Sequence, residues 1–484
     1  EYFQSAGATE DTRKRKVVWL LAVGLFTLIA LWPIWSVRYP PLQDYPVHLL
    51  HVKMLQSQGD ADFTYNQYFD FRIWPIYATF FVTTNLYASV FPIETAGKLF
   101  LTTYVLVIAL LALRAAQKMP FTPWGLLLLF PFAFNQQYFY GFTNYMFSIP
   151  LLVFALLDHD DLVHGSCGIG PMARQGLWQL AILFTHPFTF LLYVGFLCVG
   201  TILFLREGNI QRRSAVMPFF FSIPLTVWIF LIYRSQGGTD ISLTRLLWKP
   251  FVDNLCFYAS MFTGMRLGKE DRPDMVSVSL WIILALVTAG AWRAWRRERL
   301  RLPKAYVAYF LLATTAVFIA PFAKDFYTFI NWRMTTVSYF LLALLAGYVR
   351  FTRVWKPLFV GAVVGLLVFS ATIQWRVSAE IAQIDPIIEA MPADAHFLPL
   401  VFDNNSPVLD RFFFDPHLHG SAYYHLRYGN GFSPYGLDAP LHPVRFKPDV
   451  DRPGPNPYEP HLFRWEDHAN GYRFLLVRGA PPEF

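Results

Sequence analysis

The residues best placed to do chemistry lie in one short segment, Pro41-Leu42-Gln43-Asp44-Tyr45-Pro46-Val47-His48-Leu49-Leu50-His51. Asp44 sits where a helix N-cap belongs, and Pro46 is tolerated in a helix's first turn. A helix from there to about Leu55 brings Asp44, His48 and His51 into one sector of about 60°, beside an apolar stripe of Val47, Leu50 and Met54. A carboxylate and two imidazoles presented together can move protons near neutral pH. The same pattern also fits an Asp44 that only caps the helix and histidines that are merely wet; spacing alone weighs the two equally.

The elements that must position this segment follow from composition. Of 484 residues, 55% are hydrophobic, 18% aromatic and 15% charged, against about 25% charged in ordinary soluble domains. With 48 Phe, 25 Tyr and 15 Trp, a disordered chain is excluded. Cys167, Cys198 and Cys256 form neither a disulfide framework nor a metal-ligand spacing. The net charge of +7 is distributed as in a membrane protein, and nucleic acid is not an expected partner.

Crossing a bilayer takes about 20 apolar residues in a helix. Clear spans are predicted at 17–37, 96–114, 215–233, 276–292, 305–322, 334–349 and 357–374, with shorter apolar pieces at 122–134 and 145–157. The stretch 177–205 is too long for one helix. Turning it back near Thr185-His186-Pro187 puts Arg114, Lys118, Arg212, Arg213, Arg350, Arg353 and Lys356 on one side, as the positive-inside rule asks. The expectation is an α-helical polytopic membrane protein with about eleven transmembrane helices in the bacterial cytoplasmic membrane, its N-terminus cytoplasmic. Residues 73–91 read as a helix in the outer interface, and Asp158-His159-Asp160-Asp161 as a solvated cytoplasmic helix end.

Glu1-Tyr2-Phe3-Gln4-Ser5 looks like a tag remnant, so 1–16 is set apart from a membrane domain at 17–375 with external loops 38–95, 234–275 and 323–333. Residues 376–484 hold nine basic against fourteen acidic side chains and alternating runs at 396–402 and 472–478. They are expected to form a small α+β extracytoplasmic domain. His417 and His419, placed on a strand, would share a face, a geometry compatible with a divalent metal.

An in-to-out first span, a long external loop opening with an acidic residue, broken short spans and a C-terminal outer domain resemble the GT-C class of membrane glycosyltransferases. That class includes protein O-mannosyltransferases and the lipid A aminoarabinose transferase. The block Pro41 to Leu49 is also similar to a Pro-x-x-Asp-Tyr-Pro-x-His-Leu pattern in bacterial membrane proteins of this kind. The resemblance implies that Asp44 is the catalytic base or a metal ligand, although many members carry an Asp-Glu pair where Tyr45 follows Asp44 here. It also implies a polyprenyl-phosphate-sugar donor and an acceptor hydroxyl on a glycan, lipid or protein.

The leaving lipid phosphate needs cations, and an arginine fork suits it. Arg333 is the first choice, with Lys53, Arg72 and Arg245 beside it. His48, His51, Asn144, His186 and Asp325 are the expected pocket residues, and Asn135, Gln136 and Gln137 are amides that could meet sugar hydroxyls. Two other readings are a lipid-linked substrate transporter and a non-catalytic membrane assembly protein. A transporter would carry ionisable groups at mid-membrane, whereas here they gather at helix ends.

Overall fold

The computed structural model describes residues 10–72, 76–119, 122–165, 168–206, 212–235, 246–259, 285, 302–324, 328–404, 406, 415–434 and 442–482. The expected span at 276–292 lies outside these, apart from position 285, as do Ile73–Pro75 of the expected interfacial helix.

Helices dominate. The first is α1 (Glu10–Ser36), followed by α2 (Tyr45–Gln56), α3 (Thr79–Ala88) and α4 (Ile93–Ala116). After a 3-10 turn at Trp124–Leu128 come α5 (Leu129–Ala133), α6 (Gln136–Phe139), α7 (Thr143–His164), α8 (Ile169–Thr185) and α9 (Pro187–Leu205). Then follow α10 (Arg212–Val216), α11 (Phe219–Ser235), α12 (Phe251–Ala259), α13 (Lys304–Ile319), α14 (Ile330–Ala346) and α15 (Trp355–Ile381). Among the described residues, five helices are long and apolar enough to cross a membrane. Their outward faces carry large apolar side chains such as Leu21, Leu28 and Trp32, which suits a lipid surround far better than water. Proline interrupts α1, α7 and α11 at Pro33, Pro150 and Pro224, as spanning helices tolerate.

The break between α8 and α9 has a local cause. Pro187 opens α9 and disfavours helical backbone at the residue before it. His186 accordingly adopts φ −159°, ψ 110° and ends α8. The helix α3 buries Phe80, Phe81 and Thr84 and exposes Val82 and Leu86.

Polar groups collect at the two ends of the bundle. At one end Arg114 pairs with Asp158 (3.0 Å) and Asp161, Lys118 with Asp160 (2.5 Å) and Arg174 with Asp158 (2.7 Å). Tyr306 donates to Asp160 at 3.1 Å. The segment 158–161 is therefore not the solvated helix end expected: Asp158 and His159 are buried. Its countercharges come from the end of α4 and from α8, with a phenol from the start of α13, which no local pattern reveals.

At the other end the C-terminal segment closes over the first loop. It adds α16 (Asp385–Ala390), α17 (Ala422–Tyr428) and α18 (Trp465–His468). Strand β1 (Phe69–Phe71) pairs antiparallel with β5 (Val444–Phe446), Phe69 opposite Phe446. The alternating runs near 396 and 472 are strands: β4 (Phe397–Val401) pairs in parallel with β6 (Phe474–Arg478). A minimal pair, β2 (Leu246–Leu247) with β3 (Ala323–Lys324), sits apart. The seam is aromatic: Tyr65 stacks on His425 at 3.7 Å, and Tyr39 lies 4.1 Å from Tyr423 while its hydroxyl donates to Asp385 at 2.6 Å.

Candidate active site

Asp44 stands at the entry of α2, pinned against the α5–α7 turn. Gln43 N donates to the Phe139 carbonyl (2.8 Å) and Asp44 N to that of Tyr140 (3.2 Å). Gly141 makes this approach feasible: its φ is +80°, and a Cβ there would sit 2.8 Å from Asp44 N. Asn135 fixes the same turn, its side-chain oxygen accepting from Gln137 N and Tyr138 N.

The Asp44 carboxylate does not cap α2, although the residue occupies the N-cap position. Oδ1 instead meets Gln43 Nε2 at 3.3 Å and His419 Nε2 at 3.5 Å. The side chain keeps 11% exposure, so the carboxylate is sheltered yet reachable. Gln43 Oε1 accepts from Asp415 N at 2.8 Å, tying the C-terminal segment to the same spot. Partial desolvation, then the carboxylates of Asp44 and Asp415, push the Tyr458 phenol up, so this neighbour stays protonated.

Beside Asp44, α2 turns its histidines inward. His48 and His51 are buried and lie 5.6 and 5.5 Å, ring to ring, from His442. Burial is the main reason both titrate well below the ordinary histidine range, with His442 and His419 adding to it. Both are neutral at pH 7. His48 Nδ1 approaches the Thr143 hydroxyl at 3.4 Å, and His51 Nδ1 has no hydrogen-bond partner among the described residues. The ring of Tyr77 stacks on His442 at 5.7 Å. Its backbone is left-handed (φ 62°), a conformation that costs about 1–3 kcal/mol for a non-glycine residue. Asn144 holds it there, donating to Tyr77 O (3.0 Å) and accepting from Phe80 N (2.7 Å).

His186 extends this belt, 5.6 Å from Tyr77 and 5.1 Å from Tyr145. Arg333 completes it: its guanidinium lies over Phe142 (4.8 Å) and Tyr145 (5.5 Å), and its carbonyl accepts from the Tyr145 hydroxyl. The 139–145 stretch thus contacts both, Asp44 through the Tyr140 carbonyl and Arg333 through Phe142 and Tyr145.

Of the residues expected from sequence, Asp44, His48, His51, Asn144, His186 and Arg333 gather at this end. The amides Asn135 and Asn144 serve the backbone, and this leaves neither as an evident sugar ligand. Lys53 is not beside Asp44: it lies in the last turn of α2, its ammonium 5.9 Å from the Phe63 ring. Arg72 is exposed, and its N–H bonds to Pro443 O at 2.7 Å, next to His442. Arg245 and Asp325 lie outside the described residues.

His417 and His419 do not share a strand face. They occupy consecutive tight turns (Leu418 N to Asp415 O, Gly420 N to His417 O) that lead into α17, so His417 faces Glu380 (3.7 Å) and His419 faces Asp44. Among the described residues no three His, Cys, Asp or Glu side chains converge to hold a metal ion, and the residues around Asp44 do not fit one. Sequence reasoning missed His442, Gln43 and Tyr458. Only Gln43 carried a signal, its adjacency to Asp44.

The elements build an α-helical bundle whose first long apolar helix leads through α2 under a C-terminal cap. The fold matches the crystal structure of ArnT from Cupriavidus metallidurans in the apo state. The TM-score is 0.52 at 13% identity, over 86% of this chain and 89% of that one. At that identity the likeness is one of fold. No protein-family model matches the chain, and no curated protein matches it by sequence.

Proposed function

We propose that the chain is an inverting glycosyltransferase that moves a sugar from a polyprenyl-phosphate donor to an acceptor hydroxyl at the outer membrane face. The observation that carries this reading is the Asp44 carboxylate, sheltered, released from helix capping and held by His419 and Gln43. In this reading the paired cluster around Arg114 and Asp158 is the cytoplasmic end, and 376–484 is extracytoplasmic.

The chemistry balances with the groups present. The acceptor O–H bond breaks and its proton passes to Asp44, while the acceptor oxygen attacks the anomeric carbon from the face opposite the phosphate. The bond from that carbon to the phosphate oxygen breaks, and the lipid phosphate leaves with the electron pair. Gln43 Nε2 donates to Oδ1 at 3.3 Å and steadies the carboxylate for the proton, with the His419 imidazole 3.5 Å from the same oxygen. Arg333, aligned by stacking on Phe142, stabilises the charge that develops on the leaving phosphate, where low dielectric magnifies its effect. Neutral His48 and His51 add no charge to compete with it.

The test is to incubate the purified protein with polyprenyl-phosphate sugars and measure release of the lipid phosphate, then repeat with Asp44→Asn. Turnover that survives the substitution overturns the mechanism.

A further inference from the structure

A second site lies at the far end of α2. A cavity of about 390 Å³ opens there, with Tyr68, Tyr472, Gln67, Asn470, Asp394 and Arg473 among its walls, within the size range of small-ligand pockets. Tyr68 lies 4.6 Å from Phe432, and Phe432 is parallel to Tyr472 at 6.3 Å with 4° between the rings. Around these rings stand two amides, a carboxylate and a guanidinium. Flat apolar faces edged by donors and acceptors complement a ligand with a C–H face and many hydroxyls. A purely apolar ligand would desolvate the polar groups without replacing their hydrogen bonds, and an anion would meet Asp394.

The walls are held by bonds between distant parts of the chain. Arg473 N donates to His396 O at 2.9 Å. Lys447 binds the opposite wall twice, Nζ to Gln67 O (2.7 Å) and N to Tyr68 O (3.0 Å). Gly431, at φ +75°, lies so close to Ala395 that a Cβ would be 2.2 Å from its carbonyl oxygen. Such support is what keeps a binding site in shape before its ligand arrives. The cavity lies beyond the end of the helix that Asp44 begins. Asn66 donates to Met54 O (3.1 Å) and Ser57 O (2.8 Å) at the C-terminal end of α2, and Asp44 stands at its other end, about 18 Å away along twelve helical residues.

We infer that this cavity binds a saccharide, the distal sugars of a glycan acceptor whose reactive hydroxyl is presented at Asp44. Saccharide binding stands on the cavity alone; its role as part of the acceptor rests on the function proposed above.

Saturation-transfer NMR on the full chain in nanodiscs, with chitotetraose and cellotetraose as probes and no donor present, tests it. At least one probe receives saturation. Tyr472→Ala and Asn470→Ala each weaken binding about tenfold, equivalent to about 1.4 kcal/mol. Asn470 is exposed, so its loss does not endanger folding. Failure of both probes to bind, or binding that survives both cavity substitutions, overturns the inference. Undiminished transfer to a glycan acceptor by the Tyr472→Ala protein removes the acceptor role. Lipid-phosphate release that persists in Asp44→Asn instead removes the glycosyltransferase reading and leaves the saccharide site standing.

Discussion

His419 Nε2 lies 3.5 Å from Asp44 Oδ1, so the C-terminal segment brings an imidazole to the carboxylate of the first loop. The hydrogen bond on that oxygen comes from Gln43 Nε2 at 3.3 Å, and the imidazole approaches beside it. Whatever proton chemistry Asp44 performs is therefore set jointly by two distant parts of the chain.

Asp44→Asn keeps the shape and removes the base. Lipid-phosphate release falls by about 10²- to 10⁴-fold, the usual worth of a positioned general base, with an unchanged melting temperature. His419→Gln, which retains a donor, costs much less than His419→Ala. Equal losses in the two would argue against a positioning role for the imidazole.

Gly141→Ala strikes the same site from behind. The left-handed backbone costs about 1–2 kcal/mol with a side chain present, and the added methyl collides with the Asp44 backbone. The expected result is a lowered melting temperature together with a loss of turnover. Ala substituted at Gly361, where a Cβ meets nothing within 4 Å, serves as the control and changes neither.

Arg333→Lys keeps the charge but loses the planar fork and the stack on Phe142 and Tyr145. Turnover drops at least about tenfold, because leaving-group stabilisation is lost in the transition state. In steady-state assays kcat falls more than donor KM rises.

Stability has a defined acid limit. Burial, first among the causes, pushes His417 down to about 4 and His425 down to about 3, while unfolded imidazoles titrate near pH 6.5. Below about pH 6.5 the unfolded chain binds protons that the folded chain refuses, so folding stability is whole above that pH and declines as pH falls toward 4 and then 3. Melting temperature measured from pH 8 to 4 is flat at first and then drops. A rise on acidification would contradict the buried, neutral histidines.

Sidedness is open to labelling. Cysteine at Glu459 is modified by an impermeant maleimide from outside, and cysteine at Arg353 only after the membrane is permeabilised. The reverse pattern would put Asp44 on the cytosolic face.

Long apolar runs announce their helices because a bilayer, or a dry core, admits no unpaired backbone polar group. That is why α1, α4, α9, α13 and α15 were legible, while the break at His186 was read from the distribution of basic residues. The alternation of side chains at period two likewise exposed β4 and β6, and the Asp44-Tyr45-Pro46 start of α2 could be read from short-range backbone rules.

Readable along the chain is whatever acts over a few neighbouring residues: helix, strand, break, and the types of group carried at each end. It left open whether Asp44 caps its helix, and it put His417 and His419 on one strand face and Asp158 in solvent. Packing of the whole chain settled these, freeing the Asp44 side chain, turning His419 toward it, bringing His442 against His48 and His51, and closing Arg114 and Arg174 over Asp158. The physical reason is range: a carboxylate's neighbours in space are chosen by the packing of whole elements, and no pattern along the chain encodes a contact between its first loop and its last hundred residues.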